Sequence, residues 1–486
     1  MEQKNNLKKK YGFIVTTCLI VGAVIGSGIF FINEIIFGRV GGDLHNAVIA
    51  WLIGGAIMFV MMWVWGKLAV EKDGMGGLME YTDGLLGKTY SYFLGWFLGT
   101  ILYPTFVAVL AWVTARFTAQ LLGWELVFAS GPVWMLAGIY MIGIYLLSVL
   151  SPKIAGFFQV STTFIKVIPL ILMGIIGIIV GLINGTTVDN LSYVVGPDSP
   201  LFVNSPLFYA ITATAFAYAG SEEVLMMSSE IKNRKKNLPR AIILGSIIII
   251  SIYVLYTIGK FGAVDAASLA SPGVGVNLAF RNLFGQHAGS ILIVFIIISC
   301  LGAMNSAMMA GSRSFYALAI RDKGPAPEYV KQVDKKTDMP PTSAAISLLF
   351  CAIMFFFIFA NVNDMAGYPY LYHRRWFGDV NFALSSLAPI SLMGMYIPVF
   401  ITVMIQQTKW SAFNRFVMPI LSLAGAVAMI IMVFYTNFQG AMWYLLFFAI
   451  IMGIAVFFLF FEQIKKAVLP LCEKIKNAFV KEKKEI

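Results

Sequence analysis

The chain has 486 residues, of which 59% are hydrophobic and only 12% are Asp, Glu, Lys or Arg, and its mean hydropathy is +0.82. Soluble globular domains carry about 25% charged residues, so a water-soluble protein of this length could not cover its surface with so few. The same arithmetic excludes a disordered, a collagen-like or a disulfide-rich chain. The composition indicates that lipid is the second solvent of this protein.

Apolar segments long enough to cross a bilayer as helices recur along the chain, and none shows the alternating pattern of a membrane β-strand. The run that begins at Tyr11 is too long for a signal peptide and has no cleavage site, so it predicts an uncleaved first span. The sequence therefore predicts an all-α integral membrane protein with twelve transmembrane helices. They cover 11–37, 46–70, 90–122, 132–150, 156–183, 206–229, 240–262, 288–320, 341–360, 384–407, 415–436 and 441–462.

The basic residues predict the orientation. With this count of helices, 27 of the 35 Lys and Arg residues fall in the two tails and in the loops on the same side. The positive-inside rule then places both termini in the cytoplasm of a multi-pass cell-membrane protein. The net charge of +11 is thus expected to contact the lipid bilayer and not nucleic acid. The scattered cysteines and histidines have no ligand spacing, so no metal, no cofactor and no disulfide framework is predicted.

Two of the predicted spans are interrupted at corresponding positions. The first contains Gly22 to Gly28 (GAVIGSG), and the sixth contains Ala219-Gly220-Ser221, followed by Glu222 and Glu223. Small residues also serve as packing faces between membrane helices, which is the alternative explanation for either break alone. Paired breaks five helices apart favour a 5+5 inverted repeat, the architecture of secondary transporters that bind their substrate near the midplane.

The two breaks suggest what such a site would bind. After the first break, free N–H groups and the positive end of the second half-helix suit a carboxylate, with the Ser27 hydroxyl as a further donor. Before the second break, free carbonyls from Phe216 to Ala219 suit an ammonium group. Opposite poles a few ångströms apart would select a zwitterion such as an α-amino acid.

The few charged residues inside the spans have both functional and structural explanations. Glu222 follows the second break, where a buried acid either links gating to protonation or only caps free N–H groups. Lys166 lies about ten residues into the fifth span, where its ammonium either fills the space of a sodium ion or forms a fixed ion pair or a partial snorkel. Arg116 and Lys260, near the outer span ends, are expected to snorkel.

These segments resemble the amino acid–polyamine–organocation (APC) permeases. The resemblance rests on Gly22 to Phe30 (GAVIGSGIF), on Phe216 to Glu222 (FAYAGSE), on Ser229 to Asn233 (SEIKN) with Asn237 to Ile242 (NLPRAI), and on Gly311 to Ala317 (GSRSFYA). It covers nearly the whole chain and implies the leucine-transporter-type fold with two additional helices. The implied units are a cytoplasmic tail (1–10), two five-helix repeats (11–183 and 206–407), helices 11 and 12 (415–462) and a basic cytoplasmic tail (463–486).

The resemblance also implies roles for individual residues. Ser27 and Gly28 correspond to the carboxylate site, and the carbonyls of Val24, Phe216 and Ala219 to the amine site. Lys166 corresponds to a lysine that replaces a sodium site in sodium-independent members. The implied substrate-binding set is Val24, Ile25, Gly26, Ser27, Gly28, Tyr92, Phe216, Ala219, Gly220 and Asn305. The implied coupling and gating set is Glu222, Lys166, Phe216 and Tyr218.

The chain departs from the family pattern in three places. The proline usual after the second span is absent, Asn305-Ser306 stands where arginine/agmatine exchangers have a tryptophan, and the segment 361–380 is longer than expected. The second departure speaks against guanidinium recognition.

We therefore expect a sodium-independent transporter of amino acids that exchanges one amino acid for another or for its decarboxylated amine. A proton-coupled symporter is the alternative, and a membrane sensor that binds amino acids without transport is a remote one. No nucleophile–base or metal constellation suggests an enzyme. The sequence does not specify the amino acid or the oligomeric state.

Overall fold

The computed structural model describes residues 9, 11–26, 28–71, 77–124, 130–192, 206–269, 275–334, 336–337, 339–365 and 384–482. Ser27 and most of the predicted long segment 361–380 lie outside these residues. The helices are α1 (Phe13–Val24), α2 (Gly28–Arg39), α3 (Leu44–Glu71), α4 (Leu78–Leu86), α5 (Lys88–Phe97), α6 (Tyr103–Leu121), α7 (Gly131–Leu150), α8 (Pro152–Ile183), α9 (Thr186–Ser192), α10 (Pro206–Tyr218), α11 (Glu223–Met226), α12 (Arg234–Ala263), α13 (Ala266–Leu269), α14 (Gly275–Phe284), α15 (Ala288–Ala319), α16 (Pro327–Val330), α17 (Pro341–Met365), α18 (Leu384–Gln406), α19 (Met418–Thr436) and α20 (Phe438–Glu482).

The prediction of a multi-pass helical membrane protein is confirmed. Within the described residues, ten helices are long and apolar enough to cross a membrane, and α1 and α2 together supply an eleventh span, bent by 47°. The remaining predicted span, 206–229, is the one that contains the second break. Its longest helix, α10, has 13 residues, which is too short to cross a hydrocarbon core of about 30 Å alone.

Two spans differ from the prediction, one in its interior and one at its end. The third span contains a π-helical turn at Leu98–Leu102 between α5 and α6, immediately before Pro104, whose missing N–H cannot continue a regular hydrogen-bond ladder. The last helix, α20, continues to Glu482, so most of the predicted basic tail 463–486 is helical. Lys, Glu and Ala, common in this stretch, are strong helix formers.

Helices α8 and α12 pack so closely that only glycine fits between them. A Cβ atom placed on Gly177 of α8 would lie 2.1 Å from the carbonyl oxygen of Gly259 of α12. One added on Gly262 would lie 2.0 Å from the carbonyl oxygen of Gly177. Small residues that bring two backbones together are the usual basis of helix association in lipid. Both helices also contact α1, so this close pair is part of the surface against which the first broken span packs.

The start of α1 is attached to the segment between α11 and α12. The backbone N–H of Tyr11 donates to the Glu230 carbonyl (3.0 Å), and the N–H of Lys232 donates to the Tyr11 carbonyl (2.7 Å). The Glu230 carboxylate, fully buried, accepts a hydrogen bond from Nε of Arg313 on α15 at 2.7 Å. Breaking a buried ion pair is costly, so these contacts hold the first half of the broken span in place.

Candidate functional site

The two predicted breaks lie against each other in the middle of the bundle. The first separates α1, which ends at Val24, from α2, which begins at Gly28, and we call it the first break. The second break is the turn of residues 219–222 between α10 and α11, where Gly220 has a φ of +106°. A Cβ atom on Gly28 would lie 2.8 Å from the Ala217 Cα, and one on Gly220 would lie 3.0 Å from the Ala23 carbonyl oxygen. Glycine is therefore required at both contacts.

Side chains from three unbroken helices supply donors to the carbonyls of the first break. The Lys166 ammonium on α8 donates to the Gly22 carbonyl, and the Tyr253 hydroxyl on α12 donates to the Val24 carbonyl at 3.1 Å. The Ser299 hydroxyl on α15 donates to the Gly26 carbonyl at 3.1 Å. Carbonyls that a break releases from the helix ladder must find donors inside the protein, because lipid offers none.

Lys166 is fully buried, so its ammonium does not snorkel to the surface. Its Nζ lies beside α15 as well as α1, 3.6 Å from where a Cβ on Gly302 would be. The carboxylate of Glu223, also buried, lies near enough for its charge to interact with the ammonium. The cation thus occupies the contact between the first broken span and α15.

Glu222 caps the second break. Its Oε2 accepts the backbone N–H of Gly220 at 3.0 Å, whereas its Oε1 is buried with no hydrogen-bond partner among the described residues. The hydroxyls of Tyr103 and Tyr396 are likewise buried without a partner in the described part of the chain, and both interact electrostatically with the Glu222 carboxylate. Buried polar atoms are rarely left unsatisfied, so these three groups are candidates for contact with a polar ligand.

Aromatic side chains surround the second break. The Phe216 ring contacts the Phe106 ring of α6 edge-on, with centroids 5.9 Å apart. The Tyr218 hydroxyl donates to the Trp51 carbonyl at 2.8 Å, and the Tyr218 and Tyr253 rings pack with centroids 5.1 Å apart. The Ala219 N–H donates a hydrogen bond to the Phe216 carbonyl at 3.3 Å. These contacts fix the end of α10 against α3, α6 and α12.

The structure does not bring Tyr92 to the breaks, and it holds Asn305 against α8. The Tyr92 hydroxyl donates to the Ala455 carbonyl of α20 at 2.8 Å. The Asn305 amide donates to the Ala155 carbonyl (3.1 Å) and to Gln159 Oε1 (3.2 Å), both on α8. Tyr92 is thus held against α20, away from the broken segments, whereas Asn305 lies next to Gln159, whose Nε2 would be 2.8 Å from a Cβ on Gly22.

Sequence reasoning named Tyr103 as an aromatic that could line a pocket, but it missed Tyr396 as well as Tyr253 and Ser299, which contact the first break directly. No local motif distinguishes them from the other hydroxyl-bearing residues in apolar spans. Their donors and acceptors are far apart in the sequence, 229 positions for Tyr253 and Val24. Only their position midway along a span, where a polar group is costly, could have marked them for inspection.

Two discontinuous helices that meet inside a helical bundle define a secondary transporter of the leucine-transporter type. A solved structure of MhsT in complex with L-phenylalanine aligns with a TM-score of 0.58 at 14% identity, covering 88% of this chain and 99% of that chain. This likeness supports the fold. The chain matches the profile of the Amino acid permease family over residues 11–457, and it belongs to that family. It is accordingly an amino acid permease of the APC superfamily and not an enzyme.

Curated relatives are similar over most of their length. The serine/threonine exchanger SteT of Bacillus subtilis (strain 168) is 27% identical over 353 residues, which cover 72% of this chain and 77% of that protein. The human cystine/glutamate transporter is 24% identical over 356 residues, covering 73% of this chain and 69% of that protein. Amino acids are therefore the class of substrate that this chain transports.

Proposed function

We propose that this permease is a sodium-independent exchanger that works by alternating access, taking up one amino acid while releasing another or its decarboxylated amine. The observation that carries the proposal is the meeting of the two breaks. It would bring helix N–H groups that bind a carboxylate and carbonyls that bind an ammonium group into one site. Following the distribution of basic residues, we place it in the cell membrane with both termini in the cytoplasm.

The two poles come from different broken helices. The carboxylate would bind at the start of α2, where Gly28 begins the helix with free N–H groups and the positive end of the helix dipole, together with Ser27, Ile25 and Gly26. The ammonium would bind the carbonyls of Val24, Phe216 and Ala219, which lie at the ends of α1 and α10. Tyr92 and Asn305 are left out of this site, because their hydrogen bonds are made to α20 and α8.

Sodium independence rests on Lys166. Its ammonium already donates to the Gly22 carbonyl between α1 and α15, so a cation is built into this contact. A sodium ion beside it would meet a like charge at a few ångströms inside a low-dielectric protein. Uptake measured in sodium-free, choline-based medium should equal uptake in sodium medium, and a strict requirement for sodium would refute this part of the proposal.

Exchange is supported by the relative SteT, whose name describes an exchanger, and by an ammonium pole that an amino acid and its amine would share. The test is counterflow in proteoliposomes. Vesicles loaded with unlabelled L-serine, L-threonine or L-phenylalanine, or with the corresponding amines, are diluted into labelled amino acid. Exchange predicts labelled uptake only in loaded vesicles, and uptake that is independent of the internal solute would refute it.

Proton symport is the second candidate, and it is favoured by two buried carboxyls, Glu222 at the second break and Glu223, which interacts electrostatically with Lys166. In that case an imposed pH gradient should drive net uptake into empty vesicles, and Glu222→Gln should remove the response. Because Gln keeps the carbonyl oxygen that accepts the Gly220 N–H, this variant preserves the cap and removes only the ionisable group. Uptake that ignores the pH gradient in the unaltered protein would leave exchange as the mechanism.

A further inference from the structure

Tyr253 connects the two broken helices through a single hydroxyl. It lies on the unbroken helix α12, is fully buried, and its hydroxyl is 3.1 Å from the Val24 carbonyl and 2.9 Å from the Ala217 carbonyl. Val24 is the last residue of α1, and Ala217 is in the last turn of α10. We call this pair of hydrogen bonds the Tyr253 bridge.

The hydroxyl has one proton for two acceptors. A phenol donates one hydrogen bond, whereas an ammonium group donates three, so the bridge is either a three-centre bond or alternates between the two carbonyls. The ring itself is held in place, since it packs edge-on against Trp51, with centroids 5.0 Å apart, and at a tilt against Tyr218, with centroids 5.1 Å apart. The oxygen therefore stays between the two helix ends, and only the direction of its O–H bond can change from one carbonyl to the other.

One of these acceptors belongs to the proposed amine site. We propose that the Tyr253 bridge holds the empty transporter in place and that the substrate ammonium releases it by binding the Val24 carbonyl, after which the hydroxyl proton serves Ala217 alone. The inference rests on the proposed exchange function and deepens it. An amino acid and its amine both carry the ammonium, so both would release the bridge, whereas an empty site would not.

This assigns Tyr253 the role of a positioning residue that suppresses movement of the empty transporter. Alternating access requires the segments on either side of a break to change their relative positions, as at any hinge. With the bridge intact, α1 cannot separate from α10 and α12 without losing a buried hydrogen bond. Net transport without a returning substrate should therefore be slow, which is the defining property of an exchanger.

The test compares Tyr253→Phe with Tyr256→Phe. Tyr256 lies one turn further along α12 and is also fully buried, but its hydroxyl has no hydrogen-bond partner within the described residues, so it is a matched control. Each variant is reconstituted in proteoliposomes loaded with labelled substrate. The substrate is whichever of L-serine, L-threonine and L-phenylalanine supports counterflow in the unaltered protein. Efflux is measured into medium with and without the same amino acid.

Tyr253→Phe should raise efflux into substrate-free medium about threefold to tenfold, the range expected for one lost hydrogen bond, and leave exchange nearly unchanged. Tyr256→Phe should change neither rate. If Tyr253→Phe lowers both rates in proportion, the residue is only structural and the inference fails. It also fails if substrate affinity falls about tenfold while the ratio of exchange to net efflux is unchanged, since the hydroxyl would then bind substrate directly.

A second measurement uses the unaltered protein and does not depend on a variant that folds. The 2-hydroxy acid analogue of the substrate, glycerate for L-serine or 3-phenyllactate for L-phenylalanine, keeps the carboxylate but lacks the ammonium. It should compete for binding without stimulating efflux, and stimulation equal to that by the amino acid would overturn the bridge. If the unaltered protein shows no stimulation by any external amino acid, the proposed exchange function itself is refuted.

Discussion

The contact between the two breaks makes a sharp prediction about Gly28. Replacing it with alanine would place a Cβ 2.8 Å from the Ala217 Cα and 3.1 Å from the Ala217 Cβ. Carbon atoms in contact prefer about 3.5 Å or more, so α2 and α10 would have to separate by about 0.7 Å. Forcing an extra methyl into such a contact costs about 1–3 kcal/mol. Because the obstructing atom is backbone, a rotamer change cannot relieve it.

We expect Gly28→Ala to lower the thermal stability of the purified protein and to reduce counterflow strongly, since both poles of the site border this contact. Gly138→Ala is the matched control, because Gly138 lies in helix α7 with no heavy atom within 4 Å of an added Cβ. That substitution should leave transport unchanged and stability within about 1 kcal/mol of the original. Ala217→Gly should not restore the first variant, since it removes only the Cβ contact. Equal stability and transport in the Gly28 and Gly138 variants would refute the close approach of the breaks.

Three further predictions concern side chains around the broken spans. Lys166→Met should abolish sodium-independent uptake, measured in choline medium, because it removes the ammonium that lies between α1 and α15. Glu230→Gln and Arg313→Met should each cost about 3–5 kcal/mol because each removes one member of a buried ion pair, and the double variant should cost clearly less than their sum in a thermal double-mutant cycle; additive losses would contradict the pair. Phe216→Ala should impair counterflow far more than Tyr92→Phe, because only Phe216 belongs to the proposed site. The reverse order would show that Tyr92 is part of the substrate site.

The breaks themselves could be predicted from the sequence because they are local features. Clustered glycines at Gly22 to Gly28 and a Gly-Ser pair at Gly220 interrupt otherwise continuous apolar runs, and lipid imposes strong rules on such interruptions. The depth of Lys166 was also readable, since a helix rises about 1.5 Å per residue. These inferences need only distances along one helix.

Rotation about a helix axis could not be predicted in the same way. Each residue turns the helix by about 100°, and a span that is apolar on all sides has no polar face to show which side looks inward. Tyr92 and Asn305 were therefore assigned to the site by resemblance, and the structure turns Tyr92 toward α20 and Asn305 toward α8. For the same reason, the sequence did not show that Tyr253 and Ser299 face the first break.

Lys260 shows a second limit. Snorkelling was expected from its position near a span end, but the side chain is fully buried, and its Nζ lies 4.7 Å from the centroid of the Phe37 ring. A cation over an aromatic face is stabilised in a way that depends on a partner far away in the sequence. The position of a lysine along its helix predicts whether the side chain is long enough to extend to the membrane surface. It does not predict which side chains from other helices surround the ammonium.

The donors around the first break show why an ammonium group should bind there. Within the described residues, Lys166 and Ser299 donate hydrogen bonds only to carbonyls of the first broken span. Tyr253 differs from them, because it has one proton for carbonyls on two different broken helices. The Val24 carbonyl also accepts the Gly26 N–H at 2.9 Å, so among the described residues it keeps one donor when the Tyr253 hydroxyl turns to Ala217. A substrate ammonium that displaces the Tyr253 hydroxyl from Val24 replaces a neutral donor with a charged one, and hydrogen bonds from charged donors are the stronger ones. This exchange of donors is a source of affinity for the amine end of the substrate.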